Sequence, residues 1–331
     1  MVSISEALAR VTTGEADTRV RATWRGIVPW GLSFGIQLVL LSGMFLAIRS
    51  VLDISELSTV SASLLEFTIL GAVSALGIVF IIFLATRLDK RSVSAYGVVA
   101  SREQVIDLVV GLGIGALTYA VPTAVLVRFG EAELTAASPF PVDSLSVIVL
   151  GVSVAVIAFT CQVAFEEIAF RGVMLKNFAE GLTARRGSQQ SSVVFALLTS
   201  SVLFGVSHII AQGGGGTEGR SVQLVVTSAL LGILWGGSYV LTGTLSIPFG
   251  LHLGHNLWPV VVLQPAEATL IAPALGQVSY GVSQYTLVAG KALIGGICLM
   301  VWLYLSRGEL TIREEITSRV TNSTNLTSSP H

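Results

Sequence analysis

The sequence predicts an all-α, polytopic membrane protein with about eight transmembrane helices. The chain of 331 residues is 52% hydrophobic and only 12% charged, and its mean hydropathy is +0.79. A soluble domain of this length rarely has such a balance. The apolar residues are gathered into windows that exceed the roughly 18 residues marking a spanning helix. These windows are 26–48, 61–86, 105–127, 144–170, 192–211, 221–241, 245–263 and 285–306.

The connections between these windows are alternately rich and poor in Lys and Arg, with Arg128 and Arg220 as the main exceptions. Because cytosolic connections carry the excess of basic residues, both termini are predicted to be cytosolic. We therefore expect a cytosolic segment 1–25, a single transmembrane domain 26–306 and a cytosolic, disordered tail 307–331, in a multi-pass protein of the cell membrane. The basic residues behind this assignment are Arg10, Arg19, Arg21, Arg25, Arg87, Lys90, Arg91, Arg102, Lys176, Arg185, Arg186, Arg307, Arg313 and Arg319.

Composition also narrows the classes of partner. The net charge is −1 and the chain has no long basic run, so no nucleic-acid partner is expected and the lipid bilayer is the predicted surroundings. The two cysteines, Cys161 and Cys298, fall inside spans and are interpreted as packed thiols. Four glycines at small-xxx-small spacing are interpreted as sites of close helix packing. They are Gly111, Gly115, Gly232 and Gly236.

Two adjacent glutamates stand at the end of the fourth window. Glu166 and Glu167 follow an apolar run that begins near Ser144 and holds no earlier charge, and Arg171 comes one helical turn later. A carboxylate at membrane depth costs on the order of a few kcal/mol even on mild insertion scales. Two such groups side by side indicate that other side chains pair with them and that they have a function. Other charges in the spans, at Glu66, Asp107 and Lys291, are interpreted as side chains that reach the interface.

Three further polar residues lie in later apolar windows. His208 is near the end of the fifth window, and His252 and Asn256 are four residues apart in the seventh, which places them on one face of a helix. His255 is interpreted as structural. Polar side chains inside a membrane are costly unless they bond to one another, and those on separate helices can do so only if the helices bring them together. We therefore expect one site built from glutamate, histidine, asparagine and arginine side chains.

Amide hydrolysis is the chemistry that this set predicts. A carboxylate beside an imidazole can deprotonate a water molecule, and His and Asn can donate hydrogen bonds to a developing oxyanion. Glu166, His208 and His252 are equally a candidate ligand set for a divalent metal such as zinc. The spacing of the residues leaves the metal-dependent and metal-free forms both open, although the charge balance of two glutamates with an arginine favours the metal-free form.

The order Glu-Glu-x-x-x-Arg, Phe-x-x-x-His and His-x-x-x-Asn on successive apolar helices resembles the CAAX protease and bacteriocin-processing family (CPBP, also called Abi), which includes the CAAX prenyl endopeptidases. The resemblance covers about residues 144–264. It implies an intramembrane endopeptidase with an eight-helix fold that acts on a membrane-associated peptide or protein, prenylated or not.

The same resemblance assigns roles to the motif residues. It implies that Glu166 and His208 activate the attacking water, and that His252 and Asn256 stabilise the oxyanion or help to bind a divalent metal. Glu167 and Arg171 would support the site by pairing with its other members. Phe204, which opens the second motif, would pack beneath His208.

Two alternatives from other classes stay open at the level of sequence. Glu, His and Arg inside a membrane can form the pathway of an ion- or proton-coupled transporter, although the chain has no repeated half. A non-catalytic family member would keep the same motifs as a membrane chaperone or immunity factor.

A further condition applies to the protease hypothesis, because Glu166 and His208 fall at different depths in straight spans. For the two to meet, the fifth helix must begin below the membrane surface, and the fourth must tilt or continue past Arg171. The connection 173–190 would then be partly helical and cytosolic.

Overall fold

The computed structural model describes residues 13–14, 17–51, 57–141, 144–185, 187–211, 218–268 and 270–318. Within them the chain is a bundle of long helices, which confirms the all-α class. In chain order the helices are α1 (Ala22–Val51), α2 (Thr59–Asp89), α3 (Arg102–Arg128), α4 (Leu145–Glu167), α5 (Lys176–Thr183), α6 (Gln189–Ala211), α7 (Glu218–Thr242), α8 (Ser246–Val261) and α9 (Gln284–Arg307).

In the described part of the chain, seven helical segments are long and apolar enough to cross a membrane. The seventh predicted span, 245–263, is not among these seven segments and forms α8, which is 16 residues long. At about 1.5 Å per residue α8 reaches about 24 Å, less than the roughly 30 Å of a hydrocarbon core. Nine of its 16 residues are buried, so α8 lies inside the bundle rather than among the lipid-facing helices.

The fourth span continues without interruption from Leu145 to Thr183. Between α4 and α5, residues Ile168–Leu175 are π-helical, and all eight are buried. This continuation past Arg171 is one of the two arrangements that the sequence allowed, the other being a tilt of the fourth helix. Glu166 lies 17 residues before Thr183 and His208 lies 19 residues after Gln189. Two antiparallel helices joined after Thr183 therefore bring the two side chains to similar heights, about 25 Å and about 28 Å from the turn.

Close backbone contact joins α3 to α8. A Cβ atom added to Gly111 would lie 2.8 Å from the carbonyl oxygen of Ile247 and 3.1 Å from the Cα atom of Gly250. Gly115 and Gly254 repeat the contact one turn further along. The predicted role of the Gly111–Gly115 pair in close packing is confirmed, and it fixes the height of His252, which lies between Gly250 and Gly254.

The two ends of the bundle differ in structure. At one end, β3 (Ala132–Thr135), β4 (Leu263–Pro265) and β5 (Gly276–Tyr280) form a sheet of order β3-β5-β4. β5 pairs antiparallel with β3, with Ala132 opposite Tyr280, and parallel with β4, with Leu263 opposite Gly276. Since these strands follow α3 and α8 and precede α9, the sheet ties together the same ends of three helices. We call this the sheet end.

The opposite end, called the basic end below, holds the connections that the sequence analysis identified as rich in Lys and Arg. A short hairpin of β1 (Thr13–Gly14) and β2 (Asp17–Val20) precedes α1 there. The segment after α9, predicted as part of a disordered tail, runs along this end as far as Ser318. Its Ile316 side chain is fully buried, and Lys176 donates a 2.5 Å hydrogen bond to the carbonyl oxygen of Glu315. Residues 319–331 of the predicted tail lie outside the described residues.

Three arginines that the sequence analysis assigned to cytosolic connections are buried in an ionic cluster at the basic end. The cluster consists of Arg19, Arg25, Arg91, Asp89 and Glu180. Arg19 and Arg25 both bind Glu180, at 2.6 and 3.0 Å, and all three arginines also pair with Asp89. These charges therefore hold the ends of helices together besides marking the side of the membrane.

The predicted interfacial positions of Asp107 and Lys291 differ from the structure. Asp107 accepts a 2.6 Å hydrogen bond from Arg307 and a 3.3 Å bond from the Trp302 indole. Lys291 is buried, with its Nζ atom 3.0 Å from the centroid of the Tyr119 ring. Both charges are therefore neutralised or shielded by protein groups rather than by reaching the interface.

Candidate active site

The two adjacent glutamates at the end of α4 have different surroundings. The Glu167 side chain is 1% exposed, whereas that of Glu166 is 15% exposed. Glu166 Oε1 accepts a 3.2 Å hydrogen bond from the Gln162 amide one turn earlier. Because the π-helical segment starts directly after Glu167, the local helix departs from regular geometry at this pair, a feature that often marks functional sites.

Glu167 holds a histidine and an arginine at once. Its Oε1 atom lies 2.8 Å from Nδ1 of His252, and its Oε2 atom lies 3.3 Å from Nε of Arg171. Since a carboxylate only accepts, the Nδ1 atom of His252 carries the proton of the shorter contact. Arg171 also donates to the backbone oxygen of Gly232 on α7 at 3.3 Å. Glu167 therefore fixes α8 to α4 through charge-assisted contacts.

His252 faces the second glutamate with its other ring nitrogen. The Nε2 atom lies 3.5 Å from Oε2 of Glu166, beyond a normal hydrogen bond. Two carboxylates and one guanidinium carry a formal charge of −1, and the His252 ring contacts both carboxylates. Each buried charge thus has a polar or charged partner, as buried charges generally must.

One ring nitrogen of His208 is bound to its own helix. Its Nδ1 atom lies 2.8 Å from the carbonyl oxygen of Phe204, one turn earlier on α6. A carbonyl only accepts, so Nδ1 carries the proton and neutral His208 keeps a lone pair on Nε2. His208 is partly buried, so that this nitrogen is held in one orientation and remains able to accept a proton from water.

Two aromatic rings position the histidines. The Phe204 ring lies edge-on to His208 at 4.6 Å and to His252 at 5.9 Å between centroids. The Arg171 guanidinium lies 4.7 Å from the same ring. Trp235 on α7 stacks on His252 at 3.7 Å with an interplanar angle of 14°. The position expected for Phe204, in contact with His208, is observed.

Sequence reasoning missed Trp235. The residue lies well inside an apolar span, whereas tryptophans of membrane proteins concentrate at the interfaces. Its depth in the helix was therefore a usable signal, although nothing in the sequence connects it to His252.

The remaining polar residues of α8 are divided between the site and the core. Asn256 lies one turn beyond His252 and is partly buried. His255 contacts the other side, where its Nδ1 atom lies 2.9 Å from the Thr118 hydroxyl and its ring lies 4.6 Å from that of Tyr119. The Thr118 hydroxyl donates to the carbonyl oxygen of Gly115 at 2.6 Å, so His255 is the donor to Thr118. This arrangement supports a structural role for His255.

The residues named as metal ligands do not form a ligand set in this arrangement. Among the described residues, no group of three or more His, Cys, Asp or Glu side chains is placed to hold a metal ion. Both ring nitrogens of His252 face carboxylates, and Nδ1 of His208 is bound to its own helix.

These observations define a class of protein before any comparison: a polytopic helical membrane protein that encloses a buried centre of glutamates, histidine and arginine. Residues 147–258 match the family model described as type II CAAX prenyl endopeptidase Rce1-like. The match confirms the resemblance that the motifs predicted, and all six candidate site residues fall inside it. At the level of the family it supports an intramembrane protease. No curated protein and no solved structure matches the chain.

Proposed function

We propose that the protein is an intramembrane endopeptidase that hydrolyses a peptide bond of a membrane-associated substrate, of CAAX type or related to it. The observation that carries this proposal is the division of roles between the two glutamates. Glu167 is enclosed between His252 and Arg171, whereas Glu166 has an exposed edge and only one hydrogen bond of ordinary length. A carboxylate that is held but not fully paired is suited to accept a proton.

In the proposed reaction, Glu166 and His208 bind a water molecule and take its proton as its oxygen attacks the scissile carbonyl carbon. The carbonyl oxygen becomes an oxyanion, which Nε2 of His252 and the amide of Asn256 stabilise by donating hydrogen bonds. Collapse of this intermediate breaks the C–N bond, and the stored proton passes to the leaving amine. One water is consumed, and one new carboxyl and one new amino terminus are formed.

Glu167 and Arg171 act through His252 rather than on the substrate. The 2.8 Å contact fixes the orientation of the imidazole and keeps its Nδ1 atom protonated. Nε2 therefore remains the atom that faces Glu166 and the reacting carbonyl. The Trp235 ring stacks on one face of the His252 imidazole and prevents the imidazole from rotating.

The test uses the purified protein in detergent with two synthetic peptides that share one sequence, one of them farnesylated at a cysteine near its C-terminus. Mass spectrometry of the products reports whether and where a bond is cleaved. We expect cleavage that falls about 100-fold or more in His208→Gln and is unchanged in Glu133→Gln, an exposed glutamate of β3 at the sheet end. Two results together would favour the non-catalytic role. The folded wild-type protein would cleave neither peptide, and replacement of the protein in cells by the Glu166→Gln variant would leave the membrane proteome unchanged.

A further inference from the structure

A second polar cavity lies at the basic end, apart from the candidate active site. Its volume is about 520 Å³, within the range of sites that bind small molecules or headgroups. Residues from three connections and from the start of α5 line it, and none of them belongs to the glutamate–histidine centre. Those that the argument uses are Lys90, Arg91, Ser94, Lys176, Thr244 and Glu315.

The cavity lies beside an excess of positive charge. The ionic cluster contains three arginines and two carboxylates, and therefore has a net formal charge of +1. Lys176, which is buried beside it, adds a second positive charge, and its Nζ atom bonds to a backbone carbonyl rather than to a carboxylate. Burial makes this excess costly unless an anion compensates it.

Two residues that line the cavity each have a buried polar atom without a hydrogen-bond partner in the described part of the chain. One is Nη1 of Arg91, which lies 3.7 Å from Asp89 Oδ2, too far for a hydrogen bond. The other is the Thr244 hydroxyl. The Arg91 side chain is only 2% exposed. Buried polar groups are almost always satisfied, so these two groups indicate a ligand that supplies acceptor oxygens.

We propose that this cavity binds a phosphate group. A guanidinium, an ammonium group and hydroxyls are the donors that recognise phosphate oxygens, and a phosphate dianion would cancel the excess charge of the cluster and Lys176. Two sources carry this chemistry: the headgroup of a phospholipid and a soluble phosphate compound. The basic end is the side predicted to face the anionic cytosolic leaflet, which favours the headgroup.

Binding would also involve the segment after α9. Arg91 and Lys176 donate to the backbone oxygens of Ser318 and Glu315, at 3.3 and 2.5 Å. The same two side chains would hold the phosphate from the cavity side. Occupation of the cavity would therefore strengthen the attachment of this segment to the bundle.

The test measures ligand binding to the purified full-length protein in nanodiscs of phosphatidylcholine. The probes are inorganic phosphate, dioctanoyl phosphatidic acid and dioctanoyl phosphatidylcholine, and the readouts are the dissociation constant from isothermal titration calorimetry and the shift in thermal unfolding temperature. We expect saturable binding of phosphatidic acid with an increase in unfolding temperature, and little binding of the phosphatidylcholine probe. Competition by inorganic phosphate at similar affinity supports the phosphate site and assigns a soluble source.

Variants locate the binding. Thr244→Val keeps the volume of the side chain and removes the hydroxyl, and Lys90→Gln removes an exposed charge at the rim. Each should raise the dissociation constant about tenfold, the effect of losing one hydrogen bond to an anion, and Thr244→Ser should restore it. Arg102→Gln, an exposed basic residue outside the cavity, is the control. Equal affinities in wild type, Thr244→Val and Lys90→Gln, or no saturable binding of either phosphate probe, would overturn the proposal.

Discussion

The strongest test of the site compares Glu166→Gln with Glu167→Gln. The two substitutions are identical in chemistry and adjacent in sequence, yet the structure predicts that they differ greatly in their cost to stability. Glu167 contacts His252 at 2.8 Å and Arg171 at 3.3 Å and is 1% exposed. Its neutralisation leaves the buried Arg171 guanidinium without its nearest carboxylate, which costs about 3 kcal/mol or more.

Glu166 contributes much less to folding. Its contacts are a 3.2 Å hydrogen bond from Gln162 and a 3.5 Å approach to His252. A glutamine can keep the first, and the second is too long to count as a hydrogen bond. Glu166→Gln should therefore change the unfolding free energy by less than about 1 kcal/mol, while it lowers the peptidase rate about 100-fold or more by removing the base.

Both quantities are measurable on the same preparations. Titration with sodium dodecyl sulfate from a mild detergent gives the unfolding free energy, and cleavage of the farnesylated peptide gives the rate. A Glu166→Gln variant that loses as much stability as Glu167→Gln would refute the division of roles. So would full activity in folded Glu166→Gln.

Three further predictions concern other parts of the centre. Trp235→Leu should lower kcat about tenfold with little change in KM, because the His252 imidazole loses its stacked neighbour, whereas Trp235→Phe should keep most of the rate. Equal rates in the two variants would show that Trp235 does not position His252. Asn256→Ala should cost a few kcal/mol of transition-state stabilisation without loss of stability, and an unchanged kcat in that variant would exclude an oxyanion contact. Chelation should leave the activity intact because Glu166, His208 and His252 do not form a ligand set; stoichiometric zinc that is lost together with activity would show the opposite.

The helices were predictable because lipid imposes a simple rule. A spanning segment must satisfy its backbone internally and remain apolar for about 20 residues, so the windows and the observed helices agree. The convergence of Glu167, Arg171 and His252 was predictable for a related reason, since buried charges must find one another. The continuation of the fourth helix was one of the two arrangements that the depths of Glu166 and His208 allowed.

Other features depend on tertiary contacts that no local pattern reports. Counting Lys and Arg identifies the side of the membrane but not burial, so the inclusion of Arg19, Arg25 and Arg91 in an ionic cluster was missed. Lys291 was placed at the interface because of its distance from the helix end, whereas the Tyr119 ring covers it.

The short helix α8 has a consequence for how the protein is made. A 16-residue helix that contains two histidines and an asparagine is a poor substrate for independent insertion into a bilayer, because its length and its polar groups both oppose partitioning. Its glycine face against α3 supplies the backbone contact that lipid cannot provide. During synthesis, α8 should therefore remain outside the hydrocarbon region until α3 is in place. The order of helix assembly thus governs when His252 first meets Glu166 and Glu167, so that the centre forms only in a nearly complete bundle.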